Sequence, residues 1–247
     1  KSLAVINEAM TKSDLTRIQY MSKQARIANA WKKYIGQIDG LKQLDAVSLK
    51  RKFEAEYNAK ANSKEEWKRY AGLIDRMNKL VEEKSTYEFH ATLIYEYLFV
   101  GPEFFRLARG MEDLERNYGK YRVNNELDAK VQAMIKSADG FFKNYDVNVD
   151  RGIFDALTPT FKNYLDKRFT VASLNNAKLT EAVYSKSIFV NKEKYIAFLN
   201  KLTEKSFTTL AKDPGYKLFV ESFSLLRNEI SAGSNDYSLE MDALLKD

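Results

Sequence analysis

Apolar residues recur every three or four positions along most of this chain, and the longest such run opens it. Leu3, Ile6 and Met10 lead into Ile18, Met21, Ala25, Ala28, Trp31 and Ile35, a spacing that gathers them on one side of an α-helix. The pattern predicts one helix from about residue 2 to Ile35, ended by Gly36, the residue type that most readily takes the left-handed cap conformation. Such a helix would be ~50 Å long at about 1.5 Å per residue, a spine for other helices or a strut to something outside the chain. A short connector over 37–40 then predicts a second helix from about Leu41 to Ala59. Its core candidates are Leu41, Leu44, Leu49, Phe53 and Tyr57, and the short connector favours an antiparallel pair.

Cap signals divide the remainder. Ser63 with Glu66, and Ser85 with Glu88, read as capping boxes, the second restarting a helix through Phe89, Ile94 and Leu98 that can be continuous with its predecessor through a bend. Gly101-Pro102 closes it, and Pro102 fits the first position of a helix reaching about Tyr118. Asn124 or Asn125 opens another that ends near Tyr145. Asp150 opens the next, with Pro159 inside to kink or divide it. From Phe169 to Phe207 the helices shorten, with breaks near Asn175 and Asn191. Asp213-Pro214 is a cap followed by a first-turn proline; the helix it opens stops at Gly233, and a last piece runs from Asp236 to Leu245. With no period-2 strand and no fixed repeat, the fold class is all-α, an elongated multi-helix domain with a long N-terminal helix.

Composition fits this reading. Of 247 residues 45% are hydrophobic, enough for a buried core in one elongated domain or two small ones. Ten Gly and three Pro are few, as long helices require. The lack of Cys excludes disulfide and thiolate chemistry. No apolar run approaches the ~20 residues of a membrane helix. Starting at Lys1 without Met or signal peptide, the chain reads as a piece excised from a larger protein. The net charge of +6 is concentrated early: residues 1–84 hold 18 Lys/Arg against 11 Asp/Glu, residues 85–247 hold 22 against 23. These cations alternate with acids and apolar residues, as on solvated helix faces.

Catalytic chemistry is missing from the pattern. The single histidine, His90, stands on an apolar helix beside Phe89 and reads as a packing residue. No H-E-x-x-H, Cys/His cluster or EF-hand loop offers a metal site, and no P-loop or G-x-G-x-x-G offers a nucleotide site. Neighbouring acids such as Glu65-Glu66, Glu82-Glu83 and Glu112-Asp113 point in different directions on a helix. Phe104-Phe105 and Phe141-Phe142 read as helical core. Lys50-Arg51-Lys52 carries only Phe53, too little for a nucleic-acid stacking groove. Asn29 is a poor helix-interior residue, because its amide competes for backbone hydrogen bonds; by itself it reads as a solvated or satisfied side chain.

Asn29-Ala30-Trp31-Lys32, followed by Ile35-Gly36, with Arg17 to Lys23 before it and Leu41 to Lys52 after it, resembles the α-helical domain of bacterial dipeptidyl-peptidases 7 and 11. These are chymotrypsin-like serine exopeptidases with a large helical insertion. Looser likeness continues through Glu88 to Thr92 and Phe141 to Phe154, and Ala30 departs from the aromatic that family members often carry there. The resemblance implies that 1–247 is the helical cap of a two-domain peptidase, and that the catalytic triad lies in a double β-barrel domain not included here. The cap would cover the cleft and help bind the substrate's α-amino group. The family residue credited with that contact matches Asn29, with Trp31 expected to pack against the neighbouring helix and hold it in place. The implied partners are peptide substrates, the barrel domain of the same chain and a second copy in a homodimer of the full-length enzyme, with no nucleic acid, membrane span, metal or cofactor. The implied location is periplasmic or cell-surface. The isolated chain is expected to fold on its own caps at Ser63, Ser85 and Asp213 and to be inactive. The rival reading is a non-enzymatic helical interaction or scaffold module, supported by amphipathicity and the basic first third.

Overall fold

Ser13 divides what the apolar spacing predicts as one helix. In the computed structural model, which describes residues 1–246, α1 covers Ser2–Lys12 and α2 covers Asp14–Gln43. Ser13 between them has extended backbone (φ −152°, ψ 124°), and its Oγ accepts the Thr16 N–H at 3.2 Å. A side-chain acceptor there takes up one of the free N–H groups at the start of α2. The expected end at Gly36 is also corrected, because Gly36 and Gly40 both lie inside α2. Glycine is able to adopt a left-handed conformation but is not obliged to. Asp45 adopts it instead, with φ 45°, and α3 follows as Ala46–Ala61.

Neither predicted capping box forms. The Ser63 and Ser85 hydroxyls donate backwards, to the carbonyls of Lys60 (2.8 Å) and Glu82 (2.7 Å), so their oxygens do not meet the N–H groups ahead. A 3-10 turn occupies Glu65–Tyr70, and α4 runs unbroken through Ser85 over Leu73–Tyr95. A π turn, Glu96–Val100, carries α4 to its stop at Gly101. α5 is Phe105–Val123, so Pro102 precedes it rather than occupying its first turn, and α6 is Leu127–Lys143. α7, Val147–Tyr164, is capped by Asp146, whose Oδ1 accepts from the N–H groups of Asn148 and Val149 (2.9 and 3.2 Å). Asp150, the expected cap, lies one turn inside, and Pro159 sits within α7 without dividing it.

α8 (Leu179–Lys186), α9 (Lys192–Asn200, capped by Asn191) and α10 (Ser206–Leu210) are short, as the breaks predict. α11, Pro214–Leu225, opens as read from Asp213-Pro214. Asp213 Oδ1 accepts from Gly215 and Tyr216 N–H (2.9 and 3.0 Å), and the same carboxylate takes the Ser187 hydroxyl and Ile188 N–H, both at 2.8 Å. α11 passes through a second π turn, Leu226–Ile230, into α12, Ser231–Leu244. Gly233, the expected stop, is therefore helix interior. No strand occurs among the described residues, and the fold is all-α.

The chain forms two compact units. Unit one comprises residues 1–22 and 90–229; unit two comprises residues 23–89 and the segment from residue 230 onward. In unit one, α1 packs on α7, α11 on α5, and α6 on α5 and α9. Its centre is aromatic: Phe104, Phe105, Phe154 and Phe219 are fully buried, and Tyr97 stacks on Phe161 with ring centroids 4.3 Å apart. Offset aromatic pairs add to the area they bury.

Unit two is held together differently. Between residues 23 and 89, the one buried apolar residue is Ala61. Polar and aromatic contacts do more there. Lys50 pairs with Glu54 and donates to Asn78 Oδ1 (3.1 Å), and Asn78 Nδ2 donates to Glu54 Oε1 (3.2 Å), which joins α3 to α4. Tyr87 of α4 meets Tyr237 of α12 with ring centroids 5.7 Å apart. Gly233 lies against the same Tyr87 ring, so closely that a Cβ would overlap it. Gly233→Ala is accordingly expected to destabilise unit two by ~1–3 kcal/mol, the usual cost of overpacking, despite alanine's better helix propensity. A urea melt of the variant followed by helical circular dichroism checks this, and a midpoint at or above the parent's refutes it.

Candidate functional site

Two places have functional chemistry to weigh: the face of α2 around Asn29, in unit two, and a buried carboxylate in unit one.

Asn29 is exposed, and among the described residues its amide has no hydrogen-bond partner. Its carbonyl oxygen is free to accept from an ammonium group and its NH₂ to donate to a carboxylate. Arg26 lies three residues before it, and Lys32 and Lys33 three and four after, all exposed. Those spacings share a helix face, so Asn29 stands in a cationic surround. Trp31, two residues on, projects roughly 200° around the helix and does not meet Asn29. It is 61% exposed, so the expectation that Trp31 packs against a neighbouring helix and holds Asn29 is corrected.

The stripe that predicted the helix is likewise largely uncovered: Ile18, Met21, Trp31 and Ile35 are all exposed. So are Leu41, Leu44, Leu49 and Phe53, assigned to a core by their spacing yet between 58% and 67% exposed. Helical periodicity shows that residues share a face. It does not show what covers that face.

In unit one, Asp150 on α7 is 0% exposed. Its carboxylate accepts from the Glu103 N–H, from the Tyr145 hydroxyl at 3.0 Å and from the Tyr184 hydroxyl at 2.9 Å. Burial first, and then the Asp150 charge, pushes both tyrosine pKa values well above the usual phenol range, so both remain donors. Nearby, Tyr20 OH accepts the Asp146 N–H at 3.2 Å and Thr16 Oγ1 donates to Asp146 Oδ2 at 3.3 Å, which ties the first turns of α2 to the start of α7. Asp150 is closed to solvent, and its hydrogen-bond donors are a backbone N–H and two hydroxyls that do not ionise. Such a group anchors helices and transfers no proton to a ligand.

His90, 4% exposed, is a packing residue as its sequence context indicates. Its Nε2 accepts the Asp166 N–H at 3.0 Å and its ring meets Phe169 edge-on at 5.0 Å. Among the described residues no group of three His, Asp or Glu side chains converges to hold a metal, and no helix is long and apolar enough to cross a membrane. Of the sequence-level candidates, Asn29 is presented to solvent and Trp31 is not beside it. No local signal in the sequence marks the Asp150 cluster, since its partners come from α8 and from the turns that precede α5 and α7.

The sequence profile of the Peptidase S46 family matches residues 1–243. An Asp/Glu-specific dipeptidyl-peptidase of Flavobacterium psychrophilum is 27% identical over 249 residues, covering 98% of this chain and 34% of that protein. Dipeptidyl-peptidase 7 of Porphyromonas gingivalis is 27% identical over 248 residues, 94% of this chain and 33% of that protein. An Asp/Glu-specific dipeptidyl-peptidase of Capnocytophaga gingivalis is 26% identical over 230 residues, 89% of this chain and 31% of that protein. The chain thus spans about a third of the length of the curated relatives it matches. The family profile covers the chain almost from end to end, and on that ground the chain belongs to the peptidase S46 family.

Proposed function

We propose that this chain is the helical part of a serine-type dipeptidyl-peptidase, and that it binds the free amino terminus of the peptide through Asn29. The observation that carries the reading is the Asn29 amide, exposed on α2 without an internal partner in a chain whose relatives are named as dipeptidyl-peptidases. An amide oxygen accepting from the α-ammonium places the cut two residues away when the scissile bond is held at a fixed distance. That would explain release of dipeptides in preference to internal cleavage.

Arg26, Lys32 and Lys33 oppose an approaching ammonium and attract carboxylates. Peptides with an acidic residue near their amino terminus satisfy both demands, and such substrates suit this surround. The nucleophile and its base lie in a catalytic barrel domain outside these residues. The exposed apolar side chains Leu41, Leu44, Val47 and Phe53 offer a face for it to cover. The same exposed face supports the second reading, a helical interaction module without peptidase activity. A periplasmic or cell-surface location and a homodimer go with the peptidase reading.

The test is dipeptide release by the protein joined to its catalytic part, with and without Asn29→Ala. The proposal expects KM to rise with kcat little changed, for peptides with a free amino terminus. Unchanged KM removes Asn29 from the site. Absence of any dipeptide release from the intact protein favours the interaction module.

A further inference from the structure

Unit two contains a cavity of ≈340 Å³ that the peptidase reading does not use. It is lined by Tyr57, Lys60 and Ala61 at the end of α3 and by Trp67 and Tyr70 of the following 3-10 turn. The geometry comes from the chain reversal at 62–64. The Asn62 N–H and Nδ2 return to the Asn58 carbonyl at 3.1 and 2.8 Å, and the Ser63 N–H returns to Lys60 O at 3.1 Å. This closes α3 and lets Glu65–Tyr70 fold back onto it. The result is three aromatic rings around one opening, with Ala61 as a small floor.

The charge at this cavity has one sign. The Lys60 ammonium is 5.6 Å from the Trp67 ring centroid and that of Lys64 is 4.3 Å away, while the Arg69 guanidinium lies 4.6 Å from the Tyr70 ring. Among the described residues neither Lys60 nor Lys64 has a carboxylate partner. No acid is among the residues that line the cavity, and Glu65 is paired with Lys68. Aromatic walls take a flat apolar group, and unpaired ammonium groups beside them take an anion attached to it. The volume lies near the lower end of ligand-sized pockets, about 300 Å³, and admits one side chain rather than an extended ligand.

We propose that this cavity is a binding site for an aromatic residue bearing a free carboxylate, the carboxyl-terminal residue of a peptide, with Trp67 and Tyr57 holding the ring and Lys60 the carboxylate. The site does not depend on Asn29 and stands whether or not that residue meets substrate.

The chain has two tryptophans, so in a Trp31→Phe background the emission of Trp67 reports on the cavity alone. Titration with N-acetyl-phenylalanine should change that emission saturably, with a Kd of about 1 mM or tighter. N-acetyl-phenylalanine amide should bind about two- to fivefold more weakly, the range an exposed ion pair supplies, and N-acetyl-alanine should give no saturable change. Lys60→Gln, at an exposed position, should erase the preference for acid over amide while leaving the helical signal intact. Lack of saturation at ten times that concentration, equal affinity for acid and amide, or an unaltered preference in Lys60→Gln would each overturn the assignment.

Discussion

Asp150→Ala is expected to lower the unfolding free energy of unit one by ~3–5 kcal/mol, because three buried hydrogen-bond donors lose their shared acceptor at once. The fully buried carboxylate satisfies the Glu103 N–H and the hydroxyls of Tyr145 and Tyr184. Alanine leaves these donors facing a void. Each stranded donor costs roughly 1–3 kcal/mol, reduced where neighbours relax. Against a total stability of about 5–15 kcal/mol, such a loss brings the unit near its unfolding threshold. Tyr184→Phe, which removes a single donor, should cost less, on the order of 1 kcal/mol.

The tyrosines set the pH limit of this anchor. Their folded pKa values are raised, by burial first and Asp150 second. Their contribution is therefore complete below the unfolded phenol pKa of ~10 and is lost as pH climbs from there toward the folded values. Urea melts at neutral pH and at about pH 11.5, above the unfolded phenol pKa, measure both effects. A loss below ~1 kcal/mol for Asp150→Ala at neutral pH would show that Asp150 does not anchor these helices.

Asn29→Ala is expected to raise KM by up to ~10²-fold in the catalytically complete protein, with kcat nearly unchanged. A hydrogen bond to a charged group is worth about 1.5–3 kcal/mol, and about 1.4 kcal/mol is a factor of ten. The exposure of Asn29 and the nearby Arg26, Lys32 and Lys33 place the effect below the top of that range unless substrate binding excludes water. The proposed contact with the amino terminus would be equal in ground and transition states, and loss of such uniform binding appears in KM. Acetylated peptides provide the control. They lack the ammonium, so parent and variant should handle them alike. A variant that loses as much on acetylated as on free peptides would show that Asn29 supports structure and meets no amino terminus.

Local sequence signals held where the structure is local. The all-α fold follows from apolar spacing, and Asp213-Pro214 marks its helix start because every atom of that cap lies within three residues. The same logic failed at Ser63 and Ser85, since S-x-x-E is equally compatible with a hydroxyl that bonds back to a helical carbonyl. Ser13 was hidden by a stripe that continues in phase across the break. Gly36, Gly40 and Gly233 were ambiguous for the reason that makes glycine useful, namely that it fits several conformations. Gly233 is required by the Tyr87 ring, a contact between residues far apart in sequence. The Asp150 cluster is non-local in the same way, drawing on residues 103, 145 and 184. At the candidate site, the text around Asn29 is what singles it out. The stripe around it was legible as amphipathic, but its exposure was not, since one chain's periodicity carries no record of its covering surface.

The buried residues of α2, Thr16 and Tyr20, both lie in its first turns. Beyond Met21 its amides are protected by the helical ladder with little tertiary burial behind them, and Gly36 and Gly40 each weaken that ladder by roughly 0.5–1 kcal/mol relative to alanine. Deuterium should therefore enter this one helix along a gradient, slowly near Tyr20 and faster by orders of magnitude toward Gln43, because opening there needs only local fraying. The outer turns thus act as their own reporter. Whatever comes to lie on their apolar side would slow exchange there first, and the peptide positions that slow would outline its footprint.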